Sequence, residues 1–151
     1  DDLDWTKRGY SAYAAYGASK LANMLFLAEL QRRLTADGST LRVTGAHPGT
    51  TTSNITSGAT QGRGRVLSKV GLCGHNLVGM PSAQGALPTL YAATMDIPGN
   101  SYIGPHRLHE MNGWPTGVGR SRAAIDPDLG KRAWTVWEQM SGVKYPGGLG
   151  K

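Results

Sequence analysis

Residues 21–30, Leu-Ala-Asn-Met-Leu-Phe-Leu-Ala-Glu-Leu, are apolar on nearly every face of a helix, broken only by Asn23 and Glu29. Such a helix needs cover on more than one side, as between a sheet and a neighbouring helix. The run falls well short of the roughly 20 apolar residues that span a bilayer, so it reads as a core helix and not as a transmembrane one. Ser11 is placed to cap its start, and Asp37-Gly38 to stop it after about Thr35. Arg32 and Arg33 fall in its last turn, where the helix dipole favours cations.

The pattern then alternates. Residues 41–46, Leu-Arg-Val-Thr-Gly-Ala, predict a short strand that stops at His47-Pro48-Gly49, because proline cannot continue a central ladder. Residues 50–80 read as irregular, rich in Thr, Ser and Gly, with one weakly amphipathic piece at 66–70. Helix is expected again from Pro81 through Leu87, Leu90, Tyr91 and Met95, kinked at Pro88. Ser101-Tyr102-Ile103 predicts a short strand. A last helix follows Asp126-Pro127, with Leu129, Ala133, Val136, Trp137 and Met140 on one stripe and Gly142 as its stop. Helix, strand, helix, strand, helix is one edge of an α/β layer structure, and 151 residues with 39% apolar content fit one domain.

Charge narrows the function classes. The net charge is +6, but the 16 Lys and Arg form no run longer than two, so the chain lacks the dense basic cluster of a nucleic-acid arm. Between Asp37 and Asp96 there is no acid, only Arg42, Arg63, Arg65 and Lys69; a surface built there would attract phosphates or an acidic membrane face, the alternative being loops that are simply poor in charge. Cys73 is the only cysteine, which excludes an internal disulfide and fits a reducing compartment. The chain opens Asp1-Asp2-Leu3-Asp4-Trp5, with neither an initiator Met nor a signal-peptide pattern, and reads as a piece of a longer protein.

The chemistry concentrates at Tyr16-Gly17-Ala18-Ser19-Lys20. Residues four apart share a helix face, so phenol and ammonium project side by side. A free tyrosine titrates near pH 10 and is a poor base at neutral pH; a neighbouring cation favours the phenolate. Tyr10 and Tyr13 have no lysine four residues on, although Tyr13 shares the Lys20 face; it is expected to pack, the alternative being that it lines the site. His106, His109 and Glu110 have ligand-type side chains but lie between Gly104-Pro105 and Asn112-Gly113, which predicts a plain surface loop and no metal site. Ser141-Gly-Val-Lys144 lacks the companion motifs of serine acyl enzymes, and the stretch 117–122 lacks the third glycine of a phosphate loop.

Ala15-Tyr-Gly-Ala-Ser-Lys-Leu-Ala-Asn23 resembles the catalytic helix of the short-chain dehydrogenase/reductase family, and so does the strand that ends in His47-Pro48-Gly49 before a hydroxyl-rich loop. The opening Asp-Asp-Leu-Asp-Trp and the Gly-Val-Lys-Tyr145 near the end look like its retinol-dehydrogenase-like branch. The resemblance covers nearly the whole chain. It implies the C-terminal portion of a Rossmann-like, doubly wound parallel sheet, residues 1–151 being the later part of a single NAD(P)-binding domain. It implies Tyr16 as the proton-transfer residue and Lys20 as its support and as a donor to the nicotinamide ribose. It sets Pro48 and Gly49 against the nicotinamide, with Thr51 and Ser53 helping to hold the cofactor. Ser53 stands where the family pattern has threonine, so the hydroxyl is kept and a methyl lost.

Several family features are absent: the glycine-rich turn, the residue that selects NAD or NADP, the Asn-Ala-Gly stretch and the active-site serine. In the family these precede the point where this chain begins. NADP is favoured over NAD on the resemblance alone. The implied reaction interconverts a small apolar alcohol and a ketone or aldehyde, in the cytoplasm or at a membrane periphery, with no nucleic-acid partner and with room for a homo-oligomer. The alternatives are an inactive truncated fragment or binding module, or a sugar epimerase or dehydratase of the same fold. Residues 57–80, with Arg63, Arg65 and Lys69 among apolar side chains, are expected to form a mobile lid over the substrate.

Overall fold

The computed structural model describes residues 5–51 and 79–147. In chain order its elements are α1 (Ala12–Ala36), β1 (Gly45–Ala46), α2 (Ser82–Gly85), α3 (Leu87–Thr94), β2 (Tyr102–Arg107), β3 (Asn112–Gly117), a 3-10 turn (Arg122–Ile125) and α4 (Pro127–Ser141). The chain divides into two compact units, Asp1–Val43 with Arg120–Lys151, and Thr44–Gly119. The amphipathic piece at 66–70, the expected lid at 57–80 except its last two residues, and Ser53 lie outside the described residues.

In the first unit Ser11 caps α1 as expected, its hydroxyl accepting the Ala14 amide, and the helix closes at Asp37. Leu25 and Glu29 are buried on one face, and Leu27 and Leu34 are buried about 180–200° around the axis. The all-round apolar pattern therefore does mark a helix covered on more than one side. Asp126 caps α4 by accepting the amides of Asp128 and Leu129, Pro127 occupies the first turn where its missing N–H costs nothing, and Gly142 ends the helix at φ 71°. Phe26 stacks on Trp134 with ring centres 5.4 Å apart and planes 10° from parallel, which joins α1 to α4.

The five residues of the predicted stripe share one side of α4. The buried residues of this helix, Gly130 and Trp134, lie outside that stripe. Leu129, Ala133, Val136, Trp137 and Met140 instead line an open cavity of about 680 Å³ shared with Ala18, Leu21, Ala22 and Leu25 of α1.

Glu29 is 2% exposed, an acid inside an apolar run. Its carboxylate accepts from Arg32 Nε and from Arg33 Nε at 2.9 and 2.8 Å, and Arg32 Nη2 closes on the same group. The arginines that the helix dipole attracts also neutralise this buried charge, one turn upstream.

In the second unit β1, β2 and β3 form a three-stranded sheet in that order. β1 runs parallel to β2, Gly45 opposite Tyr102 and Ala46 opposite Ile103. β2 and β3 are antiparallel. The expected strand at 41–46 shrinks to two residues: the Val43 amide donates to Gln31 Oε1 instead of to a ladder. The expected strand at 101–103 lengthens to six residues and returns as a hairpin, correcting the loop expected around His106. Pro105 faces Pro115 across it, a pair that needs no N–H from either strand. Two prolines on facing strands hid this hairpin from the sequence reading.

Pro88 does more than kink the helix that starts at Pro81. It divides it at Ala86 into α2 and α3, since Pro88 has no N–H to offer the carbonyl of Gln84. Met80, Ile103, Pro88 and Pro105 form the buried centre of this unit, and the Gly113 amide points at Met80 Sδ at 3.2 Å. Among the described residues no helix is long and apolar enough to cross a membrane.

Candidate functional site

Tyr16 and Lys20 stand one turn apart in the N-terminal half of α1, and Lys20 Nζ lies 5.3 Å from the centre of the Tyr16 ring. That is within cation–π reach, so the ammonium sits beside the phenol as the i, i+4 spacing requires. Tyr16 is 63% exposed and its hydroxyl makes no hydrogen bond to a described residue. Its carbonyl accepts the Ser19 hydroxyl at 2.8 Å, a local bond that leaves the aromatic side chain uninvolved. Gly17 follows it, and no described atom lies within 4 Å of where a Cβ there would stand.

The neighbouring tyrosines differ. Tyr10 meets Trp5 edge-on with ring centres 5.5 Å apart. Tyr13, expected to pack, is 88% exposed. Neither has a cation one turn ahead of it.

Pro48, Gly49 and Thr51 belong to the second unit, Tyr16 and Lys20 to the first. Pro48 is exposed, and the chain turns at Gly49 with φ +70°. A Cβ on Gly49 would stand 2.6 Å from the Met111 carbonyl oxygen, so only glycine fits the turn. The Thr50 amide donates to Met111 O at 2.8 Å, and the Met80 amide to Thr50 O at 2.8 Å. Thr51 bridges to Met80 in parallel fashion. The segment after the strand is therefore fixed from both sides by its own unit.

His106 Nδ1 faces the backbone of Trp114, accepting its amide at 3.0 Å. Ser141 bonds the Trp137 carbonyl and the Val143 amide, a helix-end role. Glu110, expected with His106 and His109 in a plain surface loop, comes 3.3 Å from His47 Nε2 beside the Pro48-Gly49 turn. Nothing in the spacing of His47 and Glu110, 63 positions apart, announces that meeting. Glu29 with Arg32 and Arg33 at i+3 and i+4 did carry a legible signal, the spacing of helical ion pairs.

No protein-family model matches the chain. Over 151 aligned residues, 97% of its length, it is 30% identical to the short chain dehydrogenase/reductase dpmpH of Macrophomina phaseolina (strain MS6), of which it covers 68%. A stretch of 49 residues, 32% of the chain, is 53% identical to human retinol dehydrogenase 13 and covers 14% of that protein. A crystal structure of an uncharacterised protein from Mycobacterium paratuberculosis is 40% identical, with a TM-score of 0.72, and the match covers 96% of this chain and 45% of that one. The chain thus spans from about one seventh to about two thirds of the length of these proteins. The α/β arrangement, with its parallel β1–β2 pair, is part of a Rossmann-like fold, and the chain belongs to the short-chain dehydrogenase/reductase family, on the side of it that resembles the retinol dehydrogenases.

Proposed function

We propose that the protein carrying these residues is an oxidoreductase that interconverts an alcohol and an aldehyde or ketone with NAD(P), and that Tyr16 moves the proton. One observation carries this reading: Tyr16 and Lys20 are adjacent, exposed on α1 and uncommitted to other described side chains, 5.3 Å from ring centre to Nζ. Gly17 adds support, because glycine inside a helix costs about 1 kcal/mol relative to alanine. No described neighbour requires it, which suits a face that a ligand approaches closely.

In the reductive direction the Tyr16 hydroxyl gives its proton to the substrate oxygen; in the oxidative direction it takes that proton back. Lys20 holds a positive charge where negative charge develops on the phenolic oxygen. Its remaining N–H donors suit ribose hydroxyls. The exposed Pro48 and the Gly49 backbone offer a flat wall to the nicotinamide, and the Thr51 and Ser53 hydroxyls serve its carboxamide and the pyrophosphate. The bound cofactor supplies or accepts the hydride. An apolar alcohol or carbonyl is the proposed substrate class, in line with the retinol dehydrogenases among the relatives, and NADP is the proposed form of the cofactor. The expected place of action is the cytoplasm or a membrane surface.

Residues 1–151 form the later part of one NAD(P)-binding domain in this reading, and the pyrophosphate grip at a glycine-rich helix N-terminus lies upstream. Calorimetric titration with NADP⁺ and NAD⁺ tests it. The 151-residue chain alone should show no micromolar binding, and the protein with the region upstream of Asp1 should bind NADP⁺ in that range. Micromolar binding and Tyr16-dependent alcohol oxidation by the 151 residues alone would contradict the assignment of the grip to an upstream region.

A further inference from the structure

We propose that His47 and Glu110 are a positioning pair: Glu110 holds the His47 imidazole and, through it, the Pro48-Gly49-Thr50 turn in one shape. The purpose given to that shape, a wall for the nicotinamide, rests on the reading above; the geometry stands on contacts inside Thr44–Gly119 alone.

The His47 amide donates to the Ile103 carbonyl at 2.9 Å, which extends the β1–β2 ladder to the edge of the turn. The imidazole lies directly on Gly104 of β2, where an added Cβ would collide with Nε2 and approach Cδ2 and Cε1 to 2.7 and 2.8 Å. The Tyr102 ring lies 5.2 Å away, centre to centre. His47 Nε2 is closed to solvent and makes no aligned hydrogen bond to a described residue, yet Glu110 Oε2 is 3.3 Å from it. A buried ring nitrogen without a partner is unfavourable, and a small rotation of the Glu110 carboxylate supplies the acceptor.

The other end of the contact reaches the same turn. Gly49 fits under the carbonyls of Glu110 and Met111, and the Thr50 amide is bonded to Met111 O. Residues 108–111 thus touch the turn twice, through backbone at Gly49-Thr50 and through a carboxylate at His47. Their conformation is specific. Leu108, His109 and Glu110 have φ of 50°, 54° and 64°, three consecutive residues with side chains in the left-handed region. L-residues visit that region singly and at a cost, so a run of three marks backbone whose surroundings over-determine it. An unselected surface loop has no need of it.

Amide hydrogen exchange by NMR on the 151-residue chain tests the pair. In Glu110→Ala the Thr50 amide should exchange about tenfold faster or more, while the His47 and Val118 amides, bonded across the sheet to Ile103 and Tyr102, keep their rates. Glu110→Gln retains an acceptor oxygen and should stay within about twofold of the parent at Thr50. His47→Phe keeps a ring on Gly104 but removes the N–H, and should behave as Glu110→Ala. Three results would overturn the proposal: an unchanged Thr50 rate in Glu110→Ala, equal rates in the Ala and Gln variants, or a rise at Thr50 matched at His47 and Val118. None of these measurements involves cofactor, so failure of the cofactor reading would appear in the titrations and not here.

Discussion

Tyr145 donates its phenolic proton to Asp37 Oδ2 at 2.9 Å, tying the chain beyond α4 to the residue that closes α1. Beside it, Glu138 Oε1 accepts both the Tyr145 amide and the Trp134 indole N–H at 2.9 Å. The Tyr145 amide, then the indole, Lys144 and Arg33 hold the Glu138 carboxyl below its ordinary value of 4.5, against the opposing effect of burial. Burial first, then the bond to Asp37 and its charge, holds the Tyr145 phenol above its ordinary 10.0, against Arg33.

These shifts fix the sign of two pH effects. The depressed Glu138 carboxyl contributes stability that is fully present above pH 4.5 and is lost as pH falls through its folded value. The raised Tyr145 phenol contributes stability that is present below pH 10.0 and is lost as pH rises through its folded value. Thermal melts followed by tryptophan fluorescence should show Tm falling at both ends. Glu138→Gln should flatten the acid limb and Tyr145→Phe the alkaline one. An acid limb of unchanged slope in Glu138→Gln would refute the role given to that carboxylate.

Arg33 should matter more than Arg32. Both bind Glu29, but Arg33 is 28% exposed against 44%, and its guanidinium also lies 4.6 Å over Trp134. Losing a hydrogen bond to a buried charge costs about 1.5–3 kcal/mol, and a partly desolvated cation–π contact about 0.5–2. Urea unfolding of Arg33→Met is expected to show a loss of about 2–5 kcal/mol, exceeding that of Arg32→Met. A larger loss at Arg32 would mean that the Trp134 contact adds nothing.

Gly38 and Gly49 separate conformational strain from collision. Both have φ near +70°, but a Cβ at Gly38 meets no described atom within 4 Å and one at Gly49 meets the Met111 carbonyl. Gly38→Ala should cost about 1–2 kcal/mol, the left-handed penalty alone. Gly49→Ala should cost at least about 1 kcal/mol more, the range for overpacking. Equal losses in urea unfolding would show that the hairpin turn yields freely.

The two long helices were legible because their signals are local. Ser11, Asp126 and Gly142 act on their own backbones, so caps and stops fell where the sequence put them. The Tyr16–Lys20 proximity follows from helical spacing and was legible for the same reason. The β2–β3 hairpin was not: its prolines face each other, and its turn uses Leu108, His109 and Glu110 in a conformation usually given to glycine or asparagine. The two-residue β1 was overestimated because a side-chain acceptor, Gln31 Oε1, invisible to periodicity, takes the Val43 amide out of the ladder. The His47–Glu110 approach depends on that unread hairpin, and so could not be seen either.

Steady-state turnover of NADPH and a carbonyl substrate, in the protein with the region upstream of Asp1 present, tests Tyr16 most directly. Tyr16→Phe should lower kcat by about 100- to 10,000-fold, the worth of a placed proton donor, and leave the Kd for NADP⁺ within about twofold. Tyr13→Phe should remain near the parent in both. A Tyr16→Phe enzyme within a few-fold of the parent kcat, or a severe loss in Tyr13→Phe, would contradict Tyr16 as the residue that moves the proton.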